Sequence, residues 1–324
     1  MRFHFSNQKN NKFLYYLKAY LSLLIPKYFN KVSLQKLLES IPYNKLKEIK
    51  LRVNYYNKIE NKISPSNDWK FLSDLKLSKK GKTYFFDAYH SARYFKNHRA
   101  NFLFGDINYI PNRPSFVKSR PISENNQNSI LLKLNKVRHF LFVNDKIPIE
   151  KKKNILFGRA VVNQNQRIDF YKKYFDNELC NLGQINKGTK YDHWYKKKVS
   201  IDYHLKYKFI LCIEGYDVAS NLKWVMSSKS VAVMPKPKYE SWFMEGKLIP
   251  DYHYVLIKDD YSDLEERLNY YINNLNKLKF ISKNANQYVS KFRDTKTEKI
   301  ISLLVMEKFF SITGQKKSSI DFFS

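Results

Sequence analysis

Apolar residues fall into short runs of strand length in the second half of the chain, and helix-period stretches lie between them. Lys208-Phe-Ile-Leu-Cys-Ile213, Ser230-Val-Ala-Val-Met234 and His253 to Ile257 read as strands. A helix is predicted near Ser220–Ser227, and Ser262 with Glu265 three residues on reads as the capped start of another that runs through Arg267, Tyr270 and Ile272. Further helices are expected over Phe280–Phe292 and about Thr297–Phe310. The first half is less regular. Residues 13 to 58 read as two or three helices, the later ones marked by Leu34, Leu37, Leu38, Leu46 and Ile49, and Ser64-Pro-Ser-Asn67 is a turn cluster. Tyr84-Phe-Phe-Asp87, Phe102-Leu-Phe-Gly-Asp106, Asn154-Ile-Leu-Phe-Gly158 and Leu179-Cys-Asn-Leu182 are candidate strands, Arg167–Phe175 looks helical, and Ser129–Phe142 carries both signals. Strands separated by helices predict an α/β fold with parallel sheets covered on both faces. Two such halves imply a cleft at the carboxyl ends of the strands.

Composition narrows the classes. The chain has 324 residues and 43% apolar content, enough for a packed core of one large or two ordinary domains. Its net charge of +30 draws it to anionic surfaces, whether nucleic acid, anionic lipid or a phosphorylated glycolipid, and the sign alone does not choose among them. The two cysteines, Cys180 and Cys212, lack metal-ligand spacing, so neither a zinc site nor a disulfide framework is expected. Residues 13 to 25, closed by Pro26, are too short and carry Lys18, so they do not span a bilayer. With Lys9, Lys12 and Lys27 around them they could lie flat on a membrane or pack on the body of the protein.

The candidate chemistry gathers at predicted strand ends. Glu214-Gly215-Tyr-Asp-Val-Ala-Ser220-Asn221-Leu-Lys223 joins a strand to a helix through small residues. Helix N-termini offer free N–H groups and partial positive charge to phosphate, and Lys223 adds a full charge; the same Ser220 and Asn221 also serve as ordinary N-caps. Asp106, after an apolar run, is placed to take a proton from a hydroxyl nucleophile, or is a turn residue. Arg159 and Arg167 bracket a turn and could hold phosphate oxygens, as could Lys118 and Arg120 and the nearby Arg138-His139 pair. Trp242 and His253 could contact a sugar, although core packing explains them equally well. No GxGxxG, GxxxxGK[ST], HExxH or GxSxG is present, which disfavours dehydrogenases, P-loop enzymes, zinc proteases and serine hydrolases. No DxD pair sits in a convincing loop, so no metal ligand is assigned.

In order along the chain, Arg52-Val-Asn-Tyr-Tyr-Asn-Lys58, Gly105-Asp106, Val117-Lys-Ser-Arg-Pro-Ile122, Asn128 through Phe140, Gly158-Arg159, Arg167, Gly183-Gln184, Glu214-Gly215, Ser220 through Trp224, Trp242 and Leu248-Ile-Pro-Asp-Tyr-His-Tyr-Val255 resemble family-90 glycosyltransferases, in particular the bacterial branch of lipopolysaccharide core enzymes. The resemblance covers roughly residues 50 to 290. It implies a GT-B-like α/β fold, two Rossmann-like domains facing across a cleft with N-terminal and C-terminal helices. The boundaries expected are an N-terminal helical segment 1–60, an acceptor-side domain 61–185, a nucleotide-sugar donor domain 186–296 and a C-terminal helix and tail 297–324. It implies an inverting hexosyl transfer from a UDP-sugar, with no metal and no cofactor beyond the donor, to a lipopolysaccharide core or similar anionic glycan at the cytoplasmic face of the inner membrane. It assigns Asp106 as base and Arg159 to the donor diphosphate; joined to the reading of the residues above, this gives Arg159, Arg167, Gly215, Ser220, Asn221 and Lys223 on the diphosphate and Lys118, Arg120, Trp242 and His253 near acceptor or sugar. Where the family carries a second arginine this chain has Asn221, with Lys223 two residues on. The rival readings are a basic nucleic-acid-binding protein, for which no recognition signature is seen, and a catalytically silent glycan-binding protein of the same fold.

Overall fold

The computed structural model describes residues 8–24, 36–77 and 81–322. Ile25, Pro26, Lys27 and Leu34, used above to mark helices and flanks, lie outside the described residues. The chain divides into two compact units. One, the sheet unit, takes in Arg138–Lys238 and Met244–Lys291 with the N-terminal segment as far as Asn10; the other, the helical unit, takes in Asn11–Val137, Tyr239–Phe243 and Phe292–Ser324.

The sheet unit is built on five parallel strands in the order Val255–Leu256, Val231–Met234, Tyr207–Leu211, Lys153–Ala160, Cys180–Gln184. Tyr207–Leu211 and Val231–Met234 are buried along their whole length, which is why they read as unbroken apolar runs and not as alternating ones. The helices Asn165–Tyr174, Leu264–Asn273 and Leu275–Ser290 supply Phe170, Tyr171, Leu264, Leu268, Leu278 and Ile281 to a core shared with Leu156, Leu182, Phe209, Leu211 and Val233 of the strands. From Lys153–Ala160 the chain first goes to one neighbour, Cys180–Gln184, and then returns to the other side for Tyr207–Leu211. The strand order therefore reverses between Lys153–Ala160 and Tyr207–Leu211, and the loops leaving those two strands part company there.

This corrects the expected domain boundary at 185/186, which would cut the parallel sheet in two. The strands at 153–160 and 180–184 belong to the same sheet as 207–211. Element ends also shift. The helix expected at Ser220–Ser227 is only Leu222–Met226, and the helix expected to be capped by Ser262 begins at Leu264 with Asp263 at its N-cap, while the Ser262 hydroxyl binds Asp260. The last strand is reduced to Val255–Leu256, and His253 lies in the turn before it.

The helical unit has only short strands among its described residues, so a second Rossmann-like sheet is not what organises it. Ser115–Val117 pairs in parallel with Ser129–Leu131, and Phe102 adds one bridge to Phe116. Ser119–Pro121 pairs antiparallel with Tyr239–Ser241. The stretch expected as a strand at Tyr84–Asp87 is the helix Lys82–Ala92, launched from Gly81 in the left-handed conformation (φ 74°) that glycine tolerates. Helix Tyr43–Tyr56 buries Ile49, Arg52, Val53 and Tyr56, one helical face, and Thr295–Ile312 is buried along most of its length. The polar part of this core is ionic. Arg52 Nη2 and Lys133 Nζ each lie 2.6 Å from a carboxylate oxygen of Glu298, and Trp242 Nε1 donates to the same carboxylate at 2.7 Å. Charges this deep are tolerable only when paired and hydrogen-bonded.

Candidate functional site

In open parallel sheets, ligands sit outside the carboxyl ends of the strands where the order reverses, because the diverging loops leave a crevice lined by helix starts. In this chain that place is occupied by Arg167. It stands at the beginning of the helix Asn165–Tyr174. Its guanidinium donates to the carbonyls of Val161 (2.8 Å), Ile213 (3.0 Å) and Glu214 (3.1 Å), so it ties together the loops leaving both strands at the switch point. Gln166 reaches the same turn through Gly215 O at 2.7 Å. A Cβ on Gly215 would stand 3.1 Å from Arg167 Nη2, so this residue lets the guanidinium approach the turn closely. Among the described residues no carboxylate forms an ion pair with Arg167. Burial and the neighbouring positive charge of Arg138 lower its pKa, against the attraction of Asp217 and the pull of the Tyr171 ring. A guanidinium remains charged despite such a shift. Carbonyl dipoles hold it in place but do not neutralise it, which is the condition in which a cation attracts phosphate.

The other expected phosphate ligands are placed differently. Arg159 turns back along the sheet. Its guanidinium lies over the Phe157 ring (4.3 Å) and donates to Gly158 O, Asn181 O and Asn181 Oδ1, all at 2.8 Å. Successive strand residues face opposite ways, so Arg159 shares the Phe157 face, while the helix bearing Arg167 packs on the Leu156 face. Arg159 therefore points towards the middle of its strand and away from the crevice. Lys223 is fully buried, and its amine forms a 2.6 Å ion pair with Glu245. Together with Arg167 it bears electrostatically on the Cys212 thiol, whose pKa is raised by burial and lowered in part by these two cations. Lys223 therefore backs the crevice from inside and does not line it. The Asn221 amide donates to Leu211 O at 2.9 Å and makes no side-chain cap, and Ser220 precedes the one-turn helix in a half-buried position.

In the helical unit, Asp106 follows Gly105 past the carboxyl ends of the short parallel strands. Its Oδ1 accepts from Lys118 Nζ at 2.5 Å and from Tyr84 Oη at 3.2 Å. Lys118 is buried, whereas the Asp106 side chain keeps 34% of its surface. This is a half-open carboxylate whose orientation is fixed by a buried cation and a phenol hydroxyl. Phe104 keeps an exposed face and packs against Tyr84, the residue that donates to Asp106.

The remaining expected contacts are part of the fold. Arg120 is fully buried. It pairs with Glu240 at 2.8 Å, its antiparallel cross-strand neighbour, and donates to the carbonyls of Tyr55, Tyr56 and Ser129. Trp242 stacks on Tyr56 with ring centroids 3.9 Å apart and has no exposed surface to offer a sugar. His253 Nδ1 accepts from Ile249 N–H at 2.9 Å, and burial lowers its pKa to about 4. A separate cavity of about 510 Å³, lined by Lys58, Glu60, Asn61, Glu124, Gln127 and Lys308 among others, opens near Pro114 and Asn128. Those two residues precede the strands that Asp106 and Lys118 follow, so the cavity lies at the opposite end of the short sheet.

Comparison with known proteins gives the family. The model of glycosyl transferase family 90 matches residues 143–303. The O-glucosyltransferase LpsA of Dichelobacter nodosus is 38% identical over 306 residues, covering 93% of this chain and 96% of that protein. The chain belongs to glycosyl transferase family 90. As a family-90 member it is a glycosyltransferase. The matched region begins five residues after the start of the sheet unit, so the switch-point crevice and Arg167 lie wholly within it, whereas Asp106 lies in the part reached by the full-length relative alone. Sequence reasoning passed over Gln166, Tyr84 and Phe104. Gln166 could have been found from its place beside Arg167 at a helix start after a strand. Tyr84 was hidden by the strand assignment of its segment.

Proposed function

We propose that this family-90 glycosyltransferase moves a hexose, glucose in the first instance, from a UDP-sugar to a hydroxyl of a lipopolysaccharide core or similar anionic glycan, with inversion and without a metal. The observation that carries the reading is Arg167, a partly buried guanidinium at the strand-order reversal that forms no ion pair among the described residues. The diphosphate would bind there, on Arg167, with Arg138 nearby and Lys223 behind. As the sugar–phosphate bond breaks, negative charge grows on the departing UDP, and a fixed cation lowers that barrier. Asp106 would take the proton from the acceptor hydroxyl, with Lys118 and Tyr84 fixing its orientation. Glucose is suggested by the name of the Dichelobacter relative; the core acceptor, the inverting course and the GT-B arrangement follow the family resemblance. The +30 charge suits a phosphorylated acceptor on an anionic membrane.

The test is UDP release and product formation from UDP-glucose with purified core oligosaccharide as acceptor, read for the parent and for Asp106→Asn. The parent should produce a single new glycosidic linkage. Asp106→Asn should bind UDP normally and lose transfer by about 10²-fold or more. Near-normal turnover in that variant removes Asp106 from the base role. A parent that binds UDP-sugars but never transfers would support a silent glycan-binding protein instead.

A further inference from the structure

The helix Lys12–Leu23 is apolar on the side that faces out. Its inner side carries Tyr15, Tyr16, Ala19 and Leu23. The Tyr15 hydroxyl donates to Asp87 at 2.9 Å, and Tyr16 packs edge-on against Phe86 of the helix Lys82–Ala92. At about 100° per residue, Phe13, Leu17 and Leu24 fall in one narrow stripe, with Leu14 and Leu21 beside it, while the Tyr20 ring at the inner edge packs on Phe86 with centroids 4.8 Å apart. All five are exposed: Phe13 at 73%, Leu21 at 54% and Leu24 at 78%. Water-facing apolar patches of this kind mark an interaction surface. Lys18 lies at the edge of that face, and Lys12 is exposed at the start of the helix.

We propose that this face seats the protein on a bilayer surface bearing anionic headgroups. The stripe would enter the boundary between headgroups and acyl chains, and Lys18 at its edge and Lys12 at the helix start would reach outwards to phosphates. The charge argues against the rival occupant, a second copy. Two chains of +30 repel, and pairing through this face would bring the flanking lysines together, whereas an anionic surface attracts both the helix and the chain. A twelve-residue helix is about 18 Å long, too short to span a bilayer, and no described helix is long and apolar enough to cross one. The seat is therefore interfacial. The inference stands on the helix and the charge and does not depend on the transfer chemistry.

Flotation of the full chain with vesicles tests it, using phosphatidylcholine alone and phosphatidylcholine mixed with phosphatidylglycerol, at low and raised salt. Binding is expected to the mixed vesicles and to weaken with salt. Leu17→Glu with Leu21→Glu should weaken it about tenfold or more, and Lys12→Gln with Lys18→Gln severalfold. UDP binding, measured in the same preparations, should be unchanged. Leu24→Glu keeps the test decidable should the double variant misfold, because Leu24 is almost fully exposed at the helix end; it too should weaken binding severalfold. Three results overturn the proposal: no binding of the parent to mixed vesicles, undiminished binding by folded Leu24→Glu and Leu17→Glu/Leu21→Glu variants, or a dimer in solution that Leu24→Glu converts to a monomer.

Discussion

Arg167 in the sheet unit and Arg120 in the helical unit are both largely removed from water and both held by main-chain carbonyls, yet their chemistry differs. Arg120 meets Glu240 across a strand pair, and Arg52 and Lys133 share Glu298, so each of these cations stands against a carboxylate. Arg167 is positioned by the Val161, Ile213 and Glu214 carbonyls, and among the described residues no carboxylate forms an ion pair with it, although Asp217 attracts it. Cancelled charge secures a structure, and uncancelled charge at a strand-order reversal is available to a ligand.

Breaking each kind of arginine should separate the two roles. Arg120→Met strands the Glu240 carboxylate in the core and should cost about 3–5 kcal/mol of folding stability, read by urea unfolding, with UDP affinity per folded molecule unchanged. Arg167→Ala should leave the melting temperature within a few degrees and reduce kcat/KM about 10²- to 10³-fold, with UDP affinity falling in parallel. If Arg167→Ala unfolds the chain while Arg120→Met abolishes UDP binding, the comparison is inverted. Gly215→Ala makes a finer cut. The added methyl displaces Arg167 by a few tenths of an ångström, so kcat/KM should fall about three- to tenfold without loss of stability, and kinetics beside a thermal melt will show it.

The smallest expected effect is on pH. His253 has its pKa lowered by burial from 6.5 to about 4, and its Nδ1 must stay unprotonated to accept from Ile249. Between those values the unfolded chain binds a proton that the folded chain refuses. Its contribution is therefore fully present above pH 6.5 and is lost as pH falls towards 4. His253→Gln, whose side-chain carbonyl can accept the same N–H, should flatten that part of the melting-temperature curve.

The sheet unit was largely legible in the sequence because its strands are buried on both faces. Phe209–Ile213 and Val231–Met234 could be little else, and Asn154–Gly158 and Leu179–Leu182 were also found, although which sheet they joined was not. That required pairing partners 24 to 54 residues distant, which no local pattern encodes. Tyr84–Asp87 misled because four residues of apolar character suit a strand and a buried helix equally, and the helix period emerges only across Lys82–Ala92. The placement of the candidate residues was legible in part. Asp106 and Arg167 are identifiable as charged residues beside apolar runs, and both stand at openings. Arg120 and Trp242 look the same in sequence, but Glu240 and Glu298, 120 and 56 residues away, commit them to the core. Lys223 was misplaced for the same reason, since Glu245 could not be paired with it in advance.

The strand Tyr239–Ser241 belongs to the helical unit although the chain on both sides of it belongs to the sheet unit. Neither half can therefore be exchanged with a relative's by one splice in the gene. A swap confined to Arg138–Lys291 would import a foreign partner for Ser119–Pro121 and put a stranger opposite Arg120. Recombination among such enzymes should thus favour inheritance of the whole region from Ser119 to Ser241, and hybrid transferases of altered donor choice are better sought by substituting loops at the crevice than by trading domains.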